Sequence, residues 1–168
     1  SDRRGSLVGS VDGTLSFDVA RGSHTRAGDI LYSPDWTDAA NAYGIAGTSA
    51  SNGVAGHGSS SPFEIHNTLI AAGPDLRQGV TIDIPSSNVD FAPTFLQMLG
   101  IAPPQSMQGR PLVEAMRASS TRPTVRRFQH TVGTSDRSYV QTAHFSSVRA
   151  GSREYRYLDY TVVKRSEK

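Results

Sequence analysis

The apolar positions of this chain change spacing several times, and each change marks an element. Val8, Val11, Leu15, Phe17 and Val19 lie on either side of Asp12-Gly13, a dipeptide that favours a tight turn, so residues 7–19 read as a β-hairpin. Asp29 to Ser33 reads as a short strand ended by Pro34. Residues 34–60 then carry small and polar side chains with five glycines, Gly44, Gly47, Gly53, Gly56 and Gly58. A loop of that length is uncommon in a compact domain and is usually functional or mobile.

Ser61, Pro62 and Glu64 spell a helix start: a hydroxyl to cap, a proline where no backbone donor is needed, and a carboxylate able to reach back. Thr68 to Ala72 reads as a short buried strand closed by Gly73-Pro74. Asp90 can cap a helix in which Phe91, Phe95 and Leu99 recur every four residues, with Pro93 in the first turn and Gly100 as the stop. That stripe predicts a core-facing helix. A second helix is expected from Pro111, burying Leu112, Ala115 and Met116, with Arg117 at its C-terminal end. Tyr139–His144 and Glu154–Val163 have strand-like spacing about Gly151 and predict a closing antiparallel hairpin.

The 168 residues suit one domain, here expected as a hairpin and Gly-rich cap or loop over 1–60, an α/β core over 61–118 and the closing hairpin over 119–168. Charged residues make up 19% and the net charge is +2, too small to imply nucleic-acid binding. Arg117, Arg122, Arg126 and Arg127 form a basic run without interleaved aromatic platforms, which reads as a solvated face. No stretch nears the roughly 20 apolar residues of a membrane helix, and no apolar signal segment follows the first residues. Cysteine is absent, so a metal would need His and carboxylate ligands. The glycine-rich loop has neither a Gly-Lys-Ser/Thr ending nor a GxGxxG after a strand, which excludes both nucleotide-loop readings.

One place offers readable chemistry. Gly56-His57-Gly58 puts an imidazole between residues that lack bulk and tolerate unusual backbone angles, ahead of a capped turn. His57 is therefore a candidate metal or acid/base station, with an ordinary loop histidine as the plain alternative. Asp35, Asp38 and Asn41 could ligate through oxygen but suit turn chemistry better. His24, His66, His130 and His144 lack partner spacing for a metal site and read as structural or surface histidines.

Gly56-His57-Gly58, then Leu69-Ile70-Ala71-Ala72-Gly73-Pro74, then Asn88-Val89-Asp90-Phe91-Ala92-Pro93-Thr94 with Leu99-Gly100, and finally Gly109-Arg110-Pro111-Leu112 follow one another in order. This order resembles the C-terminal part of the alkaline phosphatase superfamily, in its type I phosphodiesterase/nucleotide pyrophosphatase and sulfatase-like branch. The match covers about a third of the chain by the extent of these motifs. The resemblance implies an α/β fold, part of a three-layer α/β/α sandwich with peripheral β-hairpins. It also implies two divalent metal ions, typically zinc, with His57 at the position of one ligand. The substrate implied is a phosphate or sulfate ester, attacked by a threonine or serine nucleophile that the cations activate. Residues 1–55 contain no match to that nucleophile or to the other ligands, so the chain reads as the C-terminal portion of a larger hydrolase, inactive alone. Sulfatase or phosphomonoesterase activity is the alternative chemistry, and a non-catalytic binding or assembly module the alternative class. Apolar faces left uncovered in such a portion would favour self-association.

Overall fold

A computed structural model describes residues 31–48 and 58–166. The hairpin expected at 7–19, Asp29 and Ile30 of the expected Asp29–Ser33 strand, His24 and His57 lie outside these residues, while Leu31–Ser33 are described and form no strand. The elements are a single helical turn, Pro62–Ile65; a 3₁₀ turn, Asn88–Asp90, running into the helix Phe91–Met98; a second 3₁₀ turn, Val113–Ala115; and the strands β1 (Thr124–Gly133), β2 (Tyr139–Ala150) and β3 (Arg153–Arg165).

The strands form an antiparallel sheet in the order β1-β2-β3, so each pairs with its neighbour in sequence. Short turns make this possible, because antiparallel neighbours need no crossover. Thr134–Ser138 joins β1 to β2: Asp136 Oδ1 accepts from the Thr134 hydroxyl at 2.7 Å, the Ser138 hydroxyl at 2.7 Å and the Ser138 N–H at 3.0 Å. Gly151, with φ +62°, turns β2 into β3. Register between β1 and β2 is uniform. The Thr131 and Thr142 hydroxyls meet at 2.9 Å, the Phe128 and Phe145 rings stack at 5.5 Å, and Thr134 N–H reaches Tyr139 O at 2.9 Å.

Contacts divide the chain into two compact units. The first takes the described residues up to Asn67 with Phe128–Phe145 and those from Leu158; the second is Thr68–Arg127 with Ser146–Tyr157. Ala143 and Phe145 are buried in the first unit, and Leu112, Met116, Val148 and Tyr155 in the second. The alternation of β2 stops where the units change, since Phe145, Ser146, Ser147 and Val148 are buried in succession.

The three-layer α/β/α sandwich implied by the resemblance is not this fold. A three-stranded antiparallel sheet with little helix stands in its place. Three local departures explain the difference. Thr68–Ala72 is exposed, and among the described residues no strand pairs with its backbone. Pro111–Ala118 does not become an α-helix: Arg77 N–H binds Ala115 O at 2.9 Å and Arg117 N–H binds Asp75 O at 2.8 Å, which pulls Met116 into extended backbone opposite Leu76. The Phe91–Met98 helix forms, yet Phe95 and Leu99 face water. Its anchored side carries Asp90 and Thr94, one turn apart and both buried, and the aromatic stripe is rotated about 100° from them. The missed element is β1. Arg126-Arg127 interrupts its apolar alternation and had marked it as a solvated face.

Candidate functional site

Two hydrogen-bonded clusters lie within or beside the segments that the sequence motifs mark. The first follows His57. Gly58 has φ +87°, and a Cβ added there would meet nothing within 4 Å. The backbone angle that the sequence reading allowed for is therefore present, and it is one that favours glycine. Ser59, Ser60 and Ser61 are each held by a hydrogen bond. Ser59 N–H donates to Glu64 Oε2 at 2.8 Å, Ser60 N–H donates to the Ser33 hydroxyl at 2.7 Å, and Ser61 N–H donates to the Ser59 hydroxyl at 3.2 Å.

Ser61 caps the Pro62–Ile65 turn by accepting from Phe63 N–H at 3.2 Å, with Pro62 in the first turn as expected. Glu64 reaches past the capping residue to Ser59, which ties the helical turn to the loop before it. The second anchor is β3. Thr161 N–H donates to Ser60 O at 2.9 Å, the Ser60 and Thr161 hydroxyls are in direct contact, and Trp36 Nε1–H donates to Thr161 O at 2.7 Å. Ser59, Ser60, Ser61 and Thr161 are buried. Every one of these groups has a polar partner, which is how a buried hydroxyl cluster avoids the cost of desolvation.

Other sequence candidates stand apart from this cluster. Asn41 is a turn residue, accepting from Tyr43 N–H at 2.9 Å and Ile45 N–H at 3.1 Å through Oδ1. Asp35 accepts from Trp36 N–H at 3.1 Å and pairs with Arg165. His66 ends the Pro62–Ile65 turn and is exposed. His130 packs edge-on against Phe128 and Phe145, and His144 stacks on Tyr160 at 4.3 Å. Among the described residues no group of three His, Cys, Asp or Glu side chains could hold a metal ion. The described residues therefore do not by themselves supply the ligand set the resemblance implies.

The second cluster joins the motif segments 88–94 and 109–112, and sequence reasoning missed it. Asp90 Oδ2 accepts from Ser87 N–H at 2.8 Å and the Tyr157 hydroxyl at 3.0 Å, and Oδ1 accepts from Arg110 N–H at 2.8 Å. Arg110 uses its whole fork: Nε donates to Tyr157 Oη at 3.1 Å, Nη1 and Nη2 grip the Glu114 carboxylate at 2.9 and 2.6 Å, and the remaining protons go to Pro111 O and Pro85 O. Thr94 Oγ1 accepts from Leu112 N–H at 3.0 Å. Gly109 packs so closely on Val89 that a Cβ would fall 2.0 Å from its carbonyl oxygen.

Burial works against the charge of Arg110, but the bond to Glu114 and the neighbouring Tyr157 and Glu114 charges outweigh it and raise its pKa. Burial also pushes the Tyr157 phenol up, helped by Asp90 and opposed by Arg110. With all five guanidinium protons engaged, Arg110 has none to offer a phosphate or sulfate. The cluster is a structural tie between two segments. Its sequence signal was an Arg four residues before a Glu, beside an Asp that also read as a helix cap.

Comparison with protein-family models, with curated proteins and with solved structures finds no match to this chain.

Proposed function

We propose that this chain is part of a metal-dependent phosphoester hydrolase and that His57 is one ligand of its metal site. The observation that carries the reading is the immobilised segment directly after the histidine: Gly58 in left-handed backbone, then Ser59, Ser60 and Ser61 each hydrogen-bonded, with Ser60 tied to both Ser33 and Thr161. A ligand must be held in place before the metal arrives, and a loop fixed on one side lowers the ordering cost of binding. The ordered motifs add support, because Asp90 and Thr94 of one are bonded to Arg110 and Leu112 of the next. The reading rests on these residues and not on overall fold.

One metal ligand does not make a catalytic site, since catalytic zinc takes about three protein ligands. The full chain with zinc and a bis(nitrophenyl) phosphate is therefore expected to release no nitrophenol above background. Turnover that disappears in His57→Ala would contradict the incomplete site and place the remaining ligands within the chain.

A non-catalytic assembly module is the second reading. The exposure of Phe95 and Leu99 on a helix expected to face a core favours it.

A further inference from the structure

The second unit leaves uncovered the groups that a folded domain normally buries. Leu69–Ala72 and Val80–Ile84 have strand-forming sequences, belong to no sheet, and make no hydrogen bond to the rest of the described chain. Ile70 is 87% exposed and Val80 52%. An apolar segment with free backbone donors and acceptors is satisfied by one kind of partner, another extended strand.

Val80–Ile84 is also held at both ends. On one side Leu76 pairs with Met116 and Arg77 Nε donates to Met116 O at 3.1 Å; on the other Pro85 O accepts from Arg110 and Ser87 N–H binds Asp90. Five residues between two anchors lose less freedom on pairing than a free segment would.

We propose that Val80–Ile84 pairs antiparallel with the same segment of a second copy, forming a two-fold symmetric dimer. The segment is complementary to itself. Centring the pair on Ile82 sets Val80 opposite the second copy's Ile84 and Thr81 opposite its Asp83, so no like charges oppose each other. Val80, Ile82 and Ile84 then share one face of the new ladder.

The available area has the right order. Val89, Phe95, Leu99 and Ile101 add to Leu69, Ile70, Val80 and Ile82, all between 37% and 87% exposed. At roughly 60–120 Å² for a fully exposed large apolar side chain these reach several hundred Å². A standard interface takes about 800 Å² from each partner, so pairing through Val80–Ile84 would make an interface at the small end of the range.

Sedimentation and light scattering on the full chain test this across a wide concentration range, with far-UV circular dichroism as the check on folding. The wild type should reach twice the 18.0 kDa chain mass. Ile82→Asp places two carboxylates face to face across the two-fold axis and should weaken the dimer at least about tenfold, while Ile82→Lys does the same with two ammonium groups. Mixing the two variants should restore the dimer, an outcome that unfolding could not produce. Ile82→Pro removes a donor that makes no bond within the described chain, so it should abolish pairing and leave the dichroism unchanged. A monomer at the highest concentration, which would leave the strand to another polypeptide, overturns the proposal. So does a dimer insensitive to all three substitutions, or an Asp/Lys mixture that stays monomeric.

Discussion

Arg110 and Glu114 grip each other through two parallel bonds, 2.9 and 2.6 Å long, with both side chains withdrawn from water. Pairs of this kind add geometric specificity, and their sensitivity lies in what is left when one partner is removed. Arg110→Ala strands the Glu114 carboxylate and withdraws the donor to Tyr157. A loss of about 3–5 kcal/mol is expected, read as a lower urea midpoint at unchanged slope. Arg110→Lys keeps the charge but not the fork, and should recover only part of it.

Tyr157 stands between Arg110 and Asp90, accepting from one and donating to the other. Tyr157→Phe should cost about 1–3 kcal/mol, because it leaves a buried Asp90 oxygen and the Arg110 Nε–H each short of a partner. The phenol also predicts an alkaline limit. Its pKa is raised above the ordinary 10.0, mainly by burial, so the unfolded chain loses the proton first as pH rises. Stability from this group is complete below pH 10 and falls above it. Wild-type unfolding should acquire this alkaline slope, and Tyr157→Phe should remove it.

Asp136 gives the opposite pH dependence at the other end of the scale. The Ser138 N–H, followed by the Thr134 and Ser138 hydroxyls, lowers its carboxyl from 3.8 to about 2. Its contribution is present above the unfolded value of 3.8 and is lost as pH falls toward 2. An NMR titration of the Asp136 carboxyl should find a midpoint near 2, and Asp136→Ala should loosen the Thr134–Ser138 turn at neutral pH, seen as faster amide exchange at Ser138 and Tyr139.

Two glycines should respond differently to alanine. At Gly109 the new methyl collides with the Val89 backbone, so Asn88–Asp90 must shift and about 1–3 kcal/mol should be lost. At Gly58 space is open and only the positive φ resists, so Gly58→Ala should cost about 1–2 kcal/mol. Thermal unfolding of the two variants provides the comparison.

Local signals in the sequence translated well. Ser61 caps a turn with Pro62 in first place, the Phe91–Met98 helix starts after Asp90 and stops at Gly100, although the Asp90 carboxylate bonds Ser87 and Arg110 and does not cap that helix, Gly151 sits in a turn, and Asn41 shapes the loop around it. Each of these depends on a few neighbouring residues. Burial did not translate. The Phe91, Phe95 and Leu99 stripe and the Leu69–Ala72 run have the composition of core, but composition does not say whether a covering element exists. The buried side of the helix was instead decided by Asp90 and Thr94 through partners 18 and 20 residues away. That distance hides the Arg110 cluster from any reading by local spacing. β1 was obscured because two arginines break its alternation, although its register with β2 is regular.

His57 is the residue on which the functional account turns, and metal contact at its imidazole is the direct test. A titration of the full chain with paramagnetic Co²⁺, followed through the imidazole resonances of its five histidines, separates His57 from His24, His66, His130 and His144. The account predicts weak binding with the largest and earliest effect at His57, lost in His57→Ala and competed by zinc. Equal effects across the exposed histidines, or none at His57 while others shift, would contradict it.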